Sequence, residues 1–133
     1  MEARFSVAVD VPRSLVRISM AGFFSSDDIA RFVDARDKAH ALLRCGPNQH
    51  RTLVDIREMN IQSQESVASF QAVLANPRWA SKRLAIVVAQ SLARMQIKRA
   101  ANSRDAGYFN DMAEAERWVL EDDTPATGFS PQS

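Results

Sequence analysis

This chain has few of the residues on which recognisable chemical motifs depend. Its four glycines, at positions 22, 46, 107 and 128, form no GxGxxG or GxxxxGK arrangement, which excludes the common glycine-rich phosphate loops. Its single cysteine, Cys45, has no partner for a disulfide within the chain, which is typical of proteins from reducing compartments. We therefore expect a cytoplasmic protein that folds without disulfide bonds.

Long apolar runs are also missing. The longest, residues 84–89, is far shorter than the ~20 residues that a membrane-spanning helix needs. The first residues show no basic leader followed by an apolar stretch. The sequence therefore predicts no membrane insertion.

Carboxylates are absent from residues 66–104, and the segment that follows is acidic. The first segment contains a basic group formed by Arg94, Lys98 and Arg99. One interpretation is that this group pairs with Glu114 and Glu116 inside the fold. The other is that it forms an exposed patch for a small anion or an acidic partner.

Nucleic acid is not the expected partner of the basic segment. The isoelectric point is about 8.0, and no aromatic residue lies between Trp79 and Tyr108. Nucleic-acid-binding domains combine stronger basicity with aromatic side chains that stack on bases. The charge pattern therefore favours internal pairing or a protein or small-anion partner.

Length and apolar periodicity predict a single α/β domain over residues 1–120, followed by a flexible acidic C-terminal tail over 121–133. Alternating apolar residues predict two strands, 5–11 and 16–21, that form a hairpin. A helix capped by Ser25 is expected to extend through Leu43 and to end at Gly46.

The rest of the domain shows strands and helices in alternation. Strands are predicted at 51–56, at 84–89 in the centre of the sheet, and near 107–110 at its edge. Helices are predicted after Ser63, over 91–102 and after Asp111. The expected fold is a mixed sheet of about five strands with four helices packed on it.

The order of elements, with Ile18-Ser19-Met20-Ala21-Gly22 leading into the helix capped by Ser25, resembles STAS and SpoIIAA-like domains, the fold of anti-sigma factor antagonists. The closing sequence over residues 109–120, an aromatic strand followed by a helix that ends in Trp-Val-Leu, is similar to the end of SpoIIAA-like proteins. The resemblance implies a non-enzymatic regulatory module in signalling that binds a protein partner.

In STAS antagonists a phosphorylatable serine begins the helix after the central strand, within Asp-Ser-Ser-Gly. Ser63 falls at that position here, with Ser66 close behind, and the resemblance marks both as a candidate phosphorylation or docking site. Gln62 replaces the aspartate and no glycine follows. The alternative for Ser63 is a simple helix cap.

A second hypothesis is a carrier of a small apolar ligand or anion, because SpoIIAA-like relatives include apolar-ligand binders. The candidate cleft comprises five side chains, with core packing as the alternative for each: Phe23, Phe24, Phe70, Trp79 and Met95. His40 and His50 lack the flanking residues of a triad or a metal site, so we expect no enzyme, no metal and no cofactor. Homodimerisation is left open.

Overall fold

The computed structural model describes residues 3–46, 48–59, 62–75, 81–88 and 106–121. The helix predicted over 91–102 and the predicted tail beyond residue 121 lie outside these described residues. Within them the chain forms five strands and three helices.

A five-stranded mixed sheet is the centre of the fold, as predicted. Its strands, in chain order, are β1 (Arg4–Asp10), β2 (Leu15–Gly22), β3 (Arg51–Met59), β4 (Arg83–Val87) and β5 (Gly107–Phe109). Each strand pairs with its predecessor in the chain, and only the β1–β2 pair is antiparallel. The central strand is β3, so the prediction that residues 84–89 form the centre was wrong.

The continuous apolar sequence of β4 has a different explanation from centrality. Leu84 and Ile86 belong to the core on one face of the sheet, whereas Ala85 and Val87 belong to the core on the other face. A strand that is covered on both faces needs apolar residues at successive positions. The apolar run therefore indicates burial on both faces of the sheet. β4 is buried in this way although its neighbour β5 is the edge strand.

The first helix, α1 (Ser26–His40), begins at the predicted cap. The side chain of Ser25 accepts a hydrogen bond from the backbone N–H of Asp28, whose carboxylate accepts one from the backbone N–H of Ser25. The helix ends earlier than predicted, because the N–H groups of Leu42 and Leu43 bond to carbonyls three residues back and tighten the chain into turns.

Two further helices are α2 (Gln64–Ala75) and α3 (Met112–Val119). Phe32 of α1 and Phe70 of α2 pack on the same face of the sheet, in a large core cluster. Ala115 and Val119 of α3 pack on the opposite face, in a smaller cluster. The sheet therefore has helices on both faces, which is the arrangement that alternating strands and helices predict.

Candidate functional site

Ser63 and Ser66 have structural roles at the beginning of α2. The hydroxyl oxygen of Ser63 accepts a hydrogen bond from the backbone N–H of Ser66 at 3.1 Å, as a helix cap does. Ser66 is 3% exposed, and its hydroxyl donates to the carbonyl of Phe24 at 2.5 Å. Of the two serines, only Ser63 is exposed to solvent.

Gln62 joins the end of β2 to the beginning of α2. The backbone N–H of Phe24 donates to Gln62 Oε1 at 2.8 Å, and Gln62 Nε2 donates to the carbonyl of Gly22 at 3.0 Å. A carboxylate at this position lacks the N–H that reaches Gly22. The residue that departs from the STAS sequence pattern therefore serves this chain as a buried link.

Of the predicted cleft, three side chains lie in the described part of the chain: Phe23, Phe24 and Phe70. Phe24 is buried, with its ring 5.8 Å from that of Phe70. Phe23 is 45% exposed, because adjacent residues of extended backbone face opposite directions. Trp79 and Met95 lie outside the described residues. Of this set, Phe70 lines a cavity that the sequence did not predict.

A cavity of about 90 Å³ lies between the sheet and helices α1 and α2, and we name it the sheet–helix cavity. The side chains from the strands that line it are mainly apolar: Ile18, Met20, Val54, Ile56, Leu84 and Ile86. Phe32 from α1 and Phe70 and Val73 from α2 also line it. The cavity therefore lies within the larger core cluster of the protein.

Polar side chains line the cavity where α1 ends and where β3 and β4 begin. Arg36 and His40 come from the last turns of α1, Thr52 from the start of β3, and Ser81 from the segment before β4. The His40 ring lies 4.5 Å from the His50 ring, measured between centroids. The cavity thus has an apolar body and one polar end.

Arg36 is the residue that the sequence analysis missed. It lies on the core-facing side of α1, four residues after Phe32, and is 8% exposed. Its Nη2 lies 3.3 Å from Oδ1 of Asp37. The sequence did contain a signal for Arg36. Phe32, Arg36 and His40 follow one another at intervals of four residues, so they share one face of α1, and this spacing puts a permanent charge among apolar positions.

Burial lowers the pKa of His40 to about 4, and the neighbouring His50 and Arg36 add to the effect. Burial penalises the charged imidazolium, and nearby positive charge disfavours it further. His40 is therefore neutral at physiological pH. In that form its ring offers one N–H donor and one acceptor nitrogen.

Replacing His40 with glutamine should make the fold less sensitive to acid. The pKa of His40 is about 4 in the folded chain against an ordinary 6.5, so the unfolded chain binds more protons between these values. Stability therefore falls as pH falls through this window, by about 1–2 kcal/mol for a half-exposed group. Urea denaturation at both ends of the window measures the loss. Equal losses in the variant and the wild type would contradict the assignment.

The acidic residues near the C-terminus pair with strands of the sheet. Both oxygens of Glu116 accept from Arg17 of β2, at 3.0 and 3.3 Å, and this lowers the pKa of Glu116. Glu121 lies 3.4 Å from Arg83, which belongs to the segment without carboxylates. Glu116 therefore takes its partner from β2. Arg94, Lys98 and Arg99, for which pairing with Glu114 and Glu116 was one interpretation, lie outside the described residues.

Arg83 also fixes the end of α3. Its Nη1 donates to the carbonyl of Trp118 at 2.6 Å, and its guanidinium lies 4.7 Å from the centre of the Trp118 ring.

Within the ranges that the structure describes, no three His, Cys, Asp or Glu side chains come together as metal ligands. No helix in the same ranges is long and apolar enough to cross a membrane.

Neither a protein-family model nor a curated protein matches this chain. Among solved structures, the chain is similar to an uncharacterized protein of the DUF3478 family from Shewanella loihica PV-4, which has a SpoIIAA-like fold. The TM-score is 0.68, the identity is 17%, and the match covers 90% of this chain and 96% of the other. The fold is therefore SpoIIAA-like, as the sequence resemblance predicted, and the similarity extends to the fold alone.

Proposed function

We propose that this chain is a non-enzymatic binding module whose SpoIIAA-like fold takes up a small, largely apolar molecule in the sheet–helix cavity. The observation that carries the proposal is the cavity itself, about 90 Å³ within the larger core cluster. Packed interiors contain few voids larger than a water molecule. Ligand sites, by contrast, are concave, mainly apolar and equipped with a few polar groups, as this one is.

The size of the cavity limits the ligand. An apolar cavity of about 150 Å³ holds benzene, so the portion enclosed here has about four non-hydrogen atoms. At the upper limit of about 1.5 kcal/mol per atom, such a ligand binds no more tightly than tens of micromolar. Binding is therefore best followed by NMR titration with millimolar concentrations of a probe such as 1-butanol.

Replacing Val73 with phenylalanine should abolish this binding. Val73 is half-buried on α2 and lines the cavity, so a larger ring at this position occupies the space that the probe needs. In the wild type, 1-butanol should produce saturable chemical-shift changes at residues around the cavity. In Val73→Phe these changes should disappear, with the melting temperature unchanged or raised.

Val67→Phe is the matched control for this experiment. Val67 is also half-buried on α2 and packs against the core, but it does not line the cavity. The control should therefore keep the saturable changes. Saturable binding that persists in Val73→Phe, or its absence from the wild type, argues against the proposed function.

A second candidate function is the docking of a protein partner on the surface near Ser63, at the start of α2. Phe23, 45% exposed, lies between Gly22 and Phe24, whose backbone groups are bound by Gln62 and Ser66. These bonds fix the backbone on both sides of the exposed aromatic residue. Exposed aromatic side chains on a rigid support are frequent anchors of protein interfaces. This candidate requires Phe23 and Ser63 to act on one surface.

A further inference from the structure

We infer that the outer edge of β1 is the interface through which two copies of this chain pair, so that their sheets join into one continuous sheet. β1 lies at one end of the strand order, with β2 as its neighbour in the described sheet. An edge strand presents a row of backbone N–H and C=O groups with which a further strand can pair. This surface is separate from the sheet–helix cavity, and the inference does not depend on the proposed ligand.

The two edges of the described sheet differ in their protection. β5 has three residues, and its Phe109 ring lies 5.5 Å from the Trp118 ring of α3. β1 has seven residues, which pair with β2 in an unbroken register. Edges that stay unpaired in natural proteins are usually short, bulged, or interrupted by proline or charge. Residues 5–9 contain neither proline nor a charged side chain, so β1 has the length and regularity of a pairing template.

The core-facing row of β1 is incompletely covered. Phe5 and Val7 pack against the larger core cluster, yet both stay partly exposed. Their partners on β2, Met20 and Ile18, are each 5% exposed. Burial on this face therefore decreases towards the outer edge. A second β1 strand beside the first would cover apolar surface that now faces water.

The charges of β1 select a second copy as the partner. An antiparallel pair with its two-fold axis at Val7, the midpoint of the strand, gives every residue of β1 an opposite residue. Arg4 of each copy then lies opposite Asp10 of the other copy. Phe5 lies opposite Val9, which continues the apolar row across the interface. Opposite charges and apolar residues in directly opposed positions stabilise a strand pair.

Other arrangements of two copies match the charges less well. An axis at Ser6 places Arg4 opposite Ala8, and an axis at Ala8 places Asp10 opposite Ser6, so both lose the charge pairs. A parallel pair brings Arg4 beside Arg4 and Asp10 beside Asp10, and like charges in these positions destabilise a sheet. The sequence of β1 therefore favours one orientation and one register.

Sedimentation equilibrium of the full chain over a series of protein concentrations tests for the dimer. One strand pair is a small interface, so we expect a reversible monomer–dimer equilibrium. Hydrogen exchange should slow with rising concentration at alternate amides of β1, those that point away from β2. A chain that stays monomeric at millimolar concentration overturns the inference, and so does a dimer that leaves these amides unprotected. Both measurements use the wild type.

Charge reversal tests the register. Arg4→Asp should weaken the dimer by about tenfold or more, because two pairs of like charge then face each other across the interface. Asp10→Arg should weaken it to a similar extent. The chain that carries both substitutions should recover the affinity of the wild type, since opposite charges are again opposed.

Arg117→Asp is the matched control. Arg117 is exposed on α3, which packs against β3, β4 and β5, so the same change of charge occurs away from the β1 edge. The control should dimerise as the wild type does, and thermal melting at low concentration checks the fold of each variant. Equal weakening by Arg4→Asp and Arg117→Asp, or a double variant that does not recover, would overturn the inference.

Discussion

Replacing Phe24 with alanine should lower the free energy of unfolding by about 3–5 kcal/mol. Phe24 is 0% exposed, and its ring lies 5.8 Å from the ring of Phe70 and 6.5 Å from that of Phe5. The substitution removes these contacts and leaves a hole that the surrounding strands and α2 cannot fill completely. Urea denaturation measures the loss, with the slope of the transition as a check that the unfolding reaction is unchanged.

The neighbouring residue provides the control for this substitution. Phe23→Ala removes the same number of atoms one position earlier in the chain, but Phe23 is 45% exposed. We expect a change within about 0.5 kcal/mol, as for surface positions in general. Similar losses from both substitutions would show that the two rings do not face opposite sides. Because the Phe23→Ala variant should keep its fold, it also tests the docking of a protein partner. If Phe23 anchors that partner, the variant should no longer capture it.

Replacing Gln62 with alanine should have the second largest effect, a loss of about 2–4 kcal/mol. The substitution removes the acceptor of the Phe24 N–H and the donor to the carbonyl of Gly22, both in buried hydrogen bonds. A buried polar group that loses its partner costs about 1–3 kcal/mol. The substitution leaves two such groups, the N–H of Phe24 and the carbonyl of Gly22. Chemical denaturation gives the total, and hydrogen exchange at the Phe24 amide should accelerate.

Gln64→Ala is the matched control, since Gln64 is exposed in the first turn of α2, two residues further on. It should leave stability within about 0.5 kcal/mol of the wild type. Gln62→Glu keeps the acceptor and loses the donor, so its loss should be at least that of one broken hydrogen bond. If Gln62→Ala destabilises the protein no more than Gln64→Ala does, the two hydrogen bonds of Gln62 do not link β2 to the start of α2.

Local patterns predicted the parts of the fold that depend on neighbouring residues. The hairpin of β1 and β2 followed from alternation, and the cap at Ser25 followed from a hydroxyl followed three residues later by a carboxylate. Asp111 likewise accepts from the N–H of Glu114 at the beginning of α3. The two caps form within one turn of chain, and the hairpin joins two adjacent segments, so the sequence around each of them contains its cause.

The candidate site depends on contacts between distant segments, and it was beyond local patterns for that reason. His40 and His50 meet because α1 returns the chain to the beginning of β3, which the spacing of the two histidines does not reveal. Arg17 and Glu116 are 99 residues apart. Arg36 was accessible to sequence reasoning as a charge on an apolar helix face. The cavity beside it is lined by side chains from three strands and two helices, and no local pattern encodes how these segments pack together.

The pairing of each strand with its predecessor in the chain also determines the order in which the molecule is completed during synthesis. Each new strand of the described sheet is added next to the strand made just before it. The loop that must close for each pairing therefore includes only the segment just synthesised, and the entropic cost of closing it stays small. The first half of the chain supplies β1, β2, α1 and β3, and with them Arg36. The opposite wall arrives with α2 and β4. The nascent protein therefore contains Arg36 before the cavity beside it is enclosed.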